Sequence, residues 1–400
     1  TRYIGVTGVQ TCALPIFQDP IEAFRTYVNT CETIQRRIIE VDNEPNQRKS
    51  LRGFGLREVA RLLQRDEAAL RAIPATATLF QPGGRISASD IADLRSQLGI
   101  ECPAHKRLPR RPCVLTIANF KGGAAKSTTA VHLAQYLALR GRRVLLLDLD
   151  SQATATSAFG FAPDADFEPN QTLWSFMRGD RDRLEPLITA THWPGLDLIP
   201  ANLGLYQIEF ELPALQMRNR HFKFWSLLRQ GLAPLEPAYD VIVCDCPPSL
   251  GYLSLNAIYA ATAMLVPCPP SMADFASTGR FFAMIADTMN AIAQADGSVS
   301  HRLNVIRLLI TRFSPSDRNQ QTLSEFLEAS FPGQILRNRM AQTTALDLAG
   351  NVKRSLYELD PIPGRTLERA LEYMNAVNHE IECILFEDVA SNDVIEGRAA

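Results

Sequence analysis

The stretch VLTIANFKGGAAKSTT, Val114 to Thr129, decides the fold. Its opening apolar run predicts a strand over Val114–Phe120, and the apolar periodicity from Ala130 to Leu139 predicts a helix. Between them lies the loop Lys121, Gly122, Gly123, Ala124, Ala125, Lys126, Ser127, Thr128. A strand, a glycine loop and a helix in that order turn backbone N–H groups and a helix dipole toward anionic oxygens. In such a loop Lys126 reaches the β- and γ-phosphates, and the Ser127 hydroxyl ligates Mg²⁺. Two positions depart from the common phosphate loop. Ala125 stands where glycine usually precedes the lysine, and a second lysine, Lys121, precedes the glycine pair. A turn that holds Gly and Lys by chance would match the composition but not the order of all these parts.

Two acid-tipped strands agree with this reading. RVLLLDLDSQ ends in Asp148 and Asp150, and YDVIVCDCPP ends in Asp245. Acids at the carboxyl ends of parallel strands, beside a phosphate loop, lie where a doubly wound sheet binds ligand. There they hold Mg²⁺ and orient water. One such strand could be ordinary packing with a solvated end; the set is harder to explain that way.

KGGAAKST with Lys121, LLLDLDSQA and VIVCDCPPS together resemble the ParA-type plasmid-partition ATPases, whose Walker A motif is deviant. The resemblance runs from about Arg111 to Leu385, and the arrangement ahead of it resembles the longer, RepA-like branch. It implies ATP and Mg²⁺ as cofactors and Lys121 as a signature lysine that reaches the partner's phosphates across a nucleotide-sandwich homodimer. It makes Asp150 the acid that positions or polarises the attacking water, and Asp245 the Walker B acid that reaches Mg²⁺ through water. Asp148 supports the metal shell. Lys121, Lys126 and Asp150 form the catalytic set, and Ser127, Asp245 and Asp148 the metal set. The family picture is a cytoplasmic, nucleoid-associated protein. Its ATP dimer coats DNA non-specifically, a centromere-binding partner stimulates its weak hydrolysis, and its front end represses its own operator. Ser151 stands where the family commonly has Pro. The added methyl of Ala125 is expected to restrict the loop and slow turnover.

Four hundred residues, 46% apolar and 21% charged, fit a soluble globular protein of two or three domains. The net charge of −2 is uneven: residues 1–112 carry +5 and the remainder −7. A basic front end on an acidic body points to nucleic acid in front. Eight scattered cysteines give no zinc or disulfide framework and read as reduced thiols. No run of about 18 apolar residues occurs, so no membrane span is expected.

Residues 1–17 match nothing downstream and read as a non-native or disordered segment. Asp19-Pro20 opens a helix in which Ile21, Phe24, Val28, Cys31 and Ile38 form one apolar stripe. Residues 18–45 are therefore expected to dimerise, with packing on the same chain as the alternative. Residues 46–100 read as a winged helix-turn-helix. Leu56–Leu63 and Glu67–Ile73 form a helix pair, residues 79–87 form a hairpin, and a helix spans Ser89–Leu98. Arg57, Arg61, Arg65, Arg71 and Arg85 are its candidate DNA contacts, against the alternative of solvated arginines on a helical packing unit. Residues 101–112, rich in Pro and basic residues, form a linker.

Residues 113–387 read as the α/β ATPase, a mostly parallel doubly wound sheet with helices on both faces. Strands are expected at Val114–Phe120, Val144–Asp150, Leu196–Ala201, Asp240–Cys246, Ala263–Pro269, Val305–Arg312 and Gln334–Arg339. Arg318, Arg337, Arg339, Lys353 and Arg354 cluster downstream, and the resemblance assigns basic residues of this region to non-specific DNA binding. Residues 388–400 read as a disordered tail. A vestigial regulator would need damaged motifs, and these are intact. A membrane-targeted relative would need a basic C-terminal helix, whereas Thr366–Leu385 carries Glu368, Glu372, Glu380 and Glu382. An iron–sulfur relative would need cluster cysteines, and Cys244-x-Cys246 reads as strand packing. Another deviant Walker A ATPase that positions a cellular cargo remains as an alternative.

Overall fold

Apolar runs of four to six residues become six of the seven strands of one sheet in the computed structural model of the chain. The structure describes residues 21–22, 24–31, 33, 49, 51–72, 84–99, 113–296, 303–360 and 364–396. The strands are β1 (Cys113–Ile117), β2 (Val144–Asp148), β3 (Thr189–Ala190), β4 (Leu196–Ile199), β5 (Val241–Asp245), β6 (Ala263–Cys268) and β7 (Val305–Ile310). Their order across the sheet is β3-β4-β2-β5-β1-β6-β7, and every pairing is parallel except β3 with β4.

The α-helices are α1 (Leu56–Leu63), α2 (Glu67–Arg71), α3 (Ala88–Gln97), α4 (Lys126–Leu139), α5 (Thr154–Ala158), α6 (Pro163–Asp166) and α7 (Leu173–Met177). They continue with α8 (Ile208–Arg218), α9 (Leu227–Leu232), α10 (Tyr252–Ala260), α11 (Met272–Asp296), α12 (Arg318–Ser330), α13 (Thr344–Asn351) and α14 (Thr366–Glu396). None is long and apolar enough to cross a membrane.

Alternation along the strands feeds two cores. Cys113, Leu115 and Ile117 of β1 join Val144 and Leu146 of β2 on one face, under α4, α13 and α14. Val114, Leu145, Leu147, Ile242 and Cys244 point to the other face, under α7 to α11. Burial on both faces explains why these strands read as unbroken apolar runs.

The front helices add to the first core rather than building their own. Phe54, Val59, Leu62, Leu63, Leu70, Ile86, Ile91 and Leu94 are buried in the cluster that holds β1 and β2. Arg140, at the end of α4, donates to the Leu62 carbonyl (2.6 Å) and to Glu382 of α14 (3.0 Å). Chain contacts accordingly gather Lys49–Ala400 into one compact unit and Thr1–Arg48 into another. In the first unit residues 24–31 are helical, and Ile21, Phe24, Tyr27, Val28 and Cys31 are exposed.

The sequence reading needs correction in four places. Most strands stop one to three residues short of their expected ends. Gln334–Arg339 is not a strand: Ile335 makes one parallel bridge to Leu308, after which the amides of Arg337 and Asn338 donate to Glu380 of α14. Ile86 pairs antiparallel with Phe54, upstream of the helix pair. The other half of the expected hairpin lies outside the described residues, as do residues 1–17, Asp19-Pro20, Ile38 and the linker. Finally, α14 runs on through Glu396 where a disordered tail was expected from Asp388. No Gly or Pro interrupts the chain there before Gly397, so the helix has no stop signal.

Candidate nucleotide site

The loop hangs from a buried pivot. Asn119 donates through Nδ2 to the Pro267 carbonyl (2.6 Å) and to Thr278 Oγ1 (3.2 Å). Its Oδ1 accepts from the Lys121 amide at 3.2 Å. The chain then turns through Gly123 (φ +74°) and Ala125 (φ +66°), both left-handed, and enters α4. A glycine adopts this conformation freely, whereas Ala125 adopts it at a cost. Lys126 Nζ folds back onto the Lys121 carbonyl at 3.1 Å, and Thr129 donates through N (2.9 Å) and Oγ1 (2.7 Å) to the Ala125 carbonyl.

Asp148 and Asp245 end β2 and β5 in register with one another, and both are fully buried. Asp148 is well held: it accepts from Thr156 N (2.8 Å), Thr156 Oγ1 (2.7 Å) and Asp150 N (3.2 Å). Burial still pushes its pKa up to about 6, against the pull of those hydrogen bonds. Neither oxygen of Asp245 receives a well-formed hydrogen bond. Burial, then Asp148, raises its pKa well above the carboxylate range, and the Ser127 hydroxyl and the Lys126 ammonium pull it back. Lys126 is in turn lowered by burial and supported by Asp245 and Asp150. Loop lysine, loop serine and three strand-tip acids thus share one electrostatic neighbourhood.

This donor set fits a small hard cation. Two buried carboxylates repel each other until a cation joins them. Among the described residues no group of three or more His, Cys, Asp or Glu could enclose a metal ion alone. Mg²⁺ keeps waters and takes further oxygens from phosphates, so a hydroxyl and two carboxylates are enough protein oxygens for it. Lys121 is half-exposed on the rim, its Nζ 3.1 Å from Asp274 of α11.

The AAA domain family AAA_31 matches residues 113–296. A Rhizobium rhizogenes protein provisionally named replication protein A is 39% identical over 359 residues, covering 85% of this chain and 88% of its own. Protein SopA of Escherichia coli (strain K12) is 30% identical over 338 residues, covering 79% and 83%. The chain belongs to the ParA-type ATPases. Among solved structures, cobyrinic acid a,c-diamide synthase of Mycobacterium smegmatis, with bound ATP analog and magnesium, superposes with a TM-score of 0.50 at 28% identity, covering 60% of this chain and 92% of its own.

In this ParA-type chain the candidate DNA contacts are spread unevenly. Arg57 and Arg61 of α1 face α14, at 3.9 Å from Glu368 and 2.9 Å from Glu372. Arg65, Arg71 and Arg85 are exposed. Arg318 and Arg337 are exposed, while Arg339 lies over the Phe313 ring and binds Glu328 at 2.7 Å. Lys353 and Arg354 are exposed after α13, Arg354 at 3.8 Å from Asp360. Asn119, Thr156 and Asp274 support the site and were not singled out in the sequence. Asn119 alone carried a signal there, as the polar residue that ends an apolar run.

Proposed function

We propose that this chain is an Mg²⁺-dependent ATPase that partitions plasmid or chromosomal DNA. The observation that supports it best is the buried, poorly satisfied Asp245 carboxylate beside Lys126 and Ser127. ATP is the nucleotide; Lys126 and the loop amides from Gly122 to Thr128 bind its phosphates. Ser127 and Asp245, with Asp148 behind them, would hold Mg²⁺, which would supply neutralisation of charge on the phosphate oxygens. Asp150 accepts a proton from, or orients, the attacking water. Lys121 serves the partner subunit's site in a homodimer, which is the deviant feature of this Walker A loop.

Membership in the ParA-type ATPases supports assigning partition rather than another cargo. Residues 46–100 are read as a winged helix-turn-helix that represses its own operator through Arg57, Arg61, Arg65, Arg71 and Arg85. The exposed stripe Ile21, Phe24 and Val28 is read as a second pairing surface between copies. Non-specific DNA binding is assigned to Arg318, Arg337, Arg339, Lys353 and Arg354, and stimulation of hydrolysis to a centromere-binding partner.

Nucleotide binding and turnover of Asp150→Ala test the assignment. The variant should bind Mg-ATP as wild type does and lose at least about tenfold in turnover, in line with loss of a positioned proton acceptor. Equal ATPase rates in the two proteins would contradict the role of Asp150.

A further inference from the structure

The loop's backbone hydrogen bonds can be followed one by one, and amides without a protein partner are open to a ligand. The Lys121 carbonyl takes Lys126 Nζ, and the Ala125 carbonyl takes Thr129. The Ala124 carbonyl takes the hydroxyl of Thr311 at 3.0 Å, and the Gly123 carbonyl takes Nη1 of Arg312 at 3.3 Å. Among the described residues no acceptor is found for the amides of Gly122, Gly123 and Ala125. Those four side chains hold the carbonyls, and the amides are left for anionic oxygens.

Two of those four anchors come from the segment just after β7, which the loop motif does not include. Thr311 is fully buried, and its amide donates to the Cys268 carbonyl at 3.1 Å. Phe313 is tied by its amide to the Met340 carbonyl at 3.0 Å. Arg312, between them, is left-handed at φ +53°. A residue with a Cβ adopts this conformation at a cost. Such strain persists only where the surroundings fix it, and it clusters at functional sites. Here Thr311 and Phe313 fix the backbone on either side, and the guanidinium of Arg312 ends over the loop, 3.5 Å from where a Cβ on Gly123 would stand.

We infer that Arg312 is a positioning residue of the nucleotide site: its guanidinium holds the Gly123 carbonyl away from the phosphates, so that the loop amides face them before the nucleotide arrives. With Thr311 it forms a brace from β7 to the loop. The inference rests on the reading of this loop as a triphosphate cradle. Such a brace acts on nucleotide in ground and transition states alike, so its loss raises KM and leaves kcat nearly unchanged.

The test measures KM, kcat and direct Mg-ATP affinity for wild type, Arg312→Ala, Arg312→Lys, Arg312→Gly and Lys126→Ala, with urea midpoints alongside. Arg312→Ala and Arg312→Gly should raise KM and Kd about tenfold, with kcat within about twofold. Arg312→Lys should recover part of the loss. Arg312→Gly relieves the left-handed strain, so its urea midpoint should match or exceed that of Arg312→Ala, separating the brace from a folding defect. If wild type binds Mg-ATP and Arg312→Gly binds it within twofold as well, the brace is overturned while the site stands. Loss of kcat at unchanged KM overturns it too. If wild type binds no better than Lys126→Ala, the site reading falls and the brace with it.

Discussion

Asp245→Asn should yield a protein that is more stable without nucleotide and unable to use it. The carboxylate is fully buried, its oxygens lack well-formed hydrogen bonds, and Asp148 stands in register beside it. A buried polar group left unsatisfied costs about 1–3 kcal/mol, and more when charged. Asn keeps the shape and removes the charge. Lys126 loses a counter-charge in return, so the net gain is on the order of 2 kcal/mol at pH 8.

The pH dependence distinguishes this cause from any other. An acid whose pKa is higher in the folded chain than in the unfolded chain, where Asp titrates near about 4, carries an extra proton when folded. Stability then falls as the pH rises from the unfolded value to the folded one. Burial and Asp148 raise Asp245 in this direction, and Asp148 itself is pushed up to about 6. The advantage of Asp245→Asn should therefore be near zero at pH 4 and grow through and beyond pH 6. Urea unfolding of both nucleotide-free proteins at pH 4.5 and pH 8 measures it, with Mg-ATP titration as the second readout. A loss of stability at pH 8, or the same gain at both pH values, would refute the reasoning.

Two further outcomes concern the loop and the basic surface. Ala125→Gly removes a left-handed alanine, and relief of about 1–2 kcal/mol against a glycine entropy cost of about 0.4–1 kcal/mol leaves a net gain of up to about 1.6 kcal/mol; a lower urea midpoint would show that the methyl packs usefully. Replacing Arg318 and Arg337 together by Ala should flatten the log–log salt dependence of ATP-dependent DNA binding by roughly 2, at about 0.9 per phosphate contact. An unchanged slope would place the DNA elsewhere.

The sheet was readable because its strands are buried on both faces, and apolar runs such as Val241–Val243 have no other use. Asp148 and Asp245 were legible for a related reason, since each ends such a run, while Lys126 and Ser127 stood out by their place between the glycine pair and the helix. What failed was non-local. Gln334–Arg339 has strand composition, yet Glu380, more than forty residues later, takes the amides that would have continued the ladder. Arg57 and Arg61 look solvated in a helix read alone, but Glu368 and Glu372 of α14 stand against them. Arg312 was missed because its signal is a torsion angle, which the sequence does not print.

The claim beneath all of this is that one triphosphate is held by the loop of one subunit and the rim lysine of another. Sedimentation velocity of wild type and Lys121→Ala, with Mg-ATP, Mg-ADP or no nucleotide and with random-sequence DNA, tests it directly. The account predicts that wild type forms a DNA-binding dimer with ATP alone, and that Lys121→Ala does not form it. An ATP dimer that forms equally well without Lys121, or a wild type whose association ignores nucleotide, would contradict it.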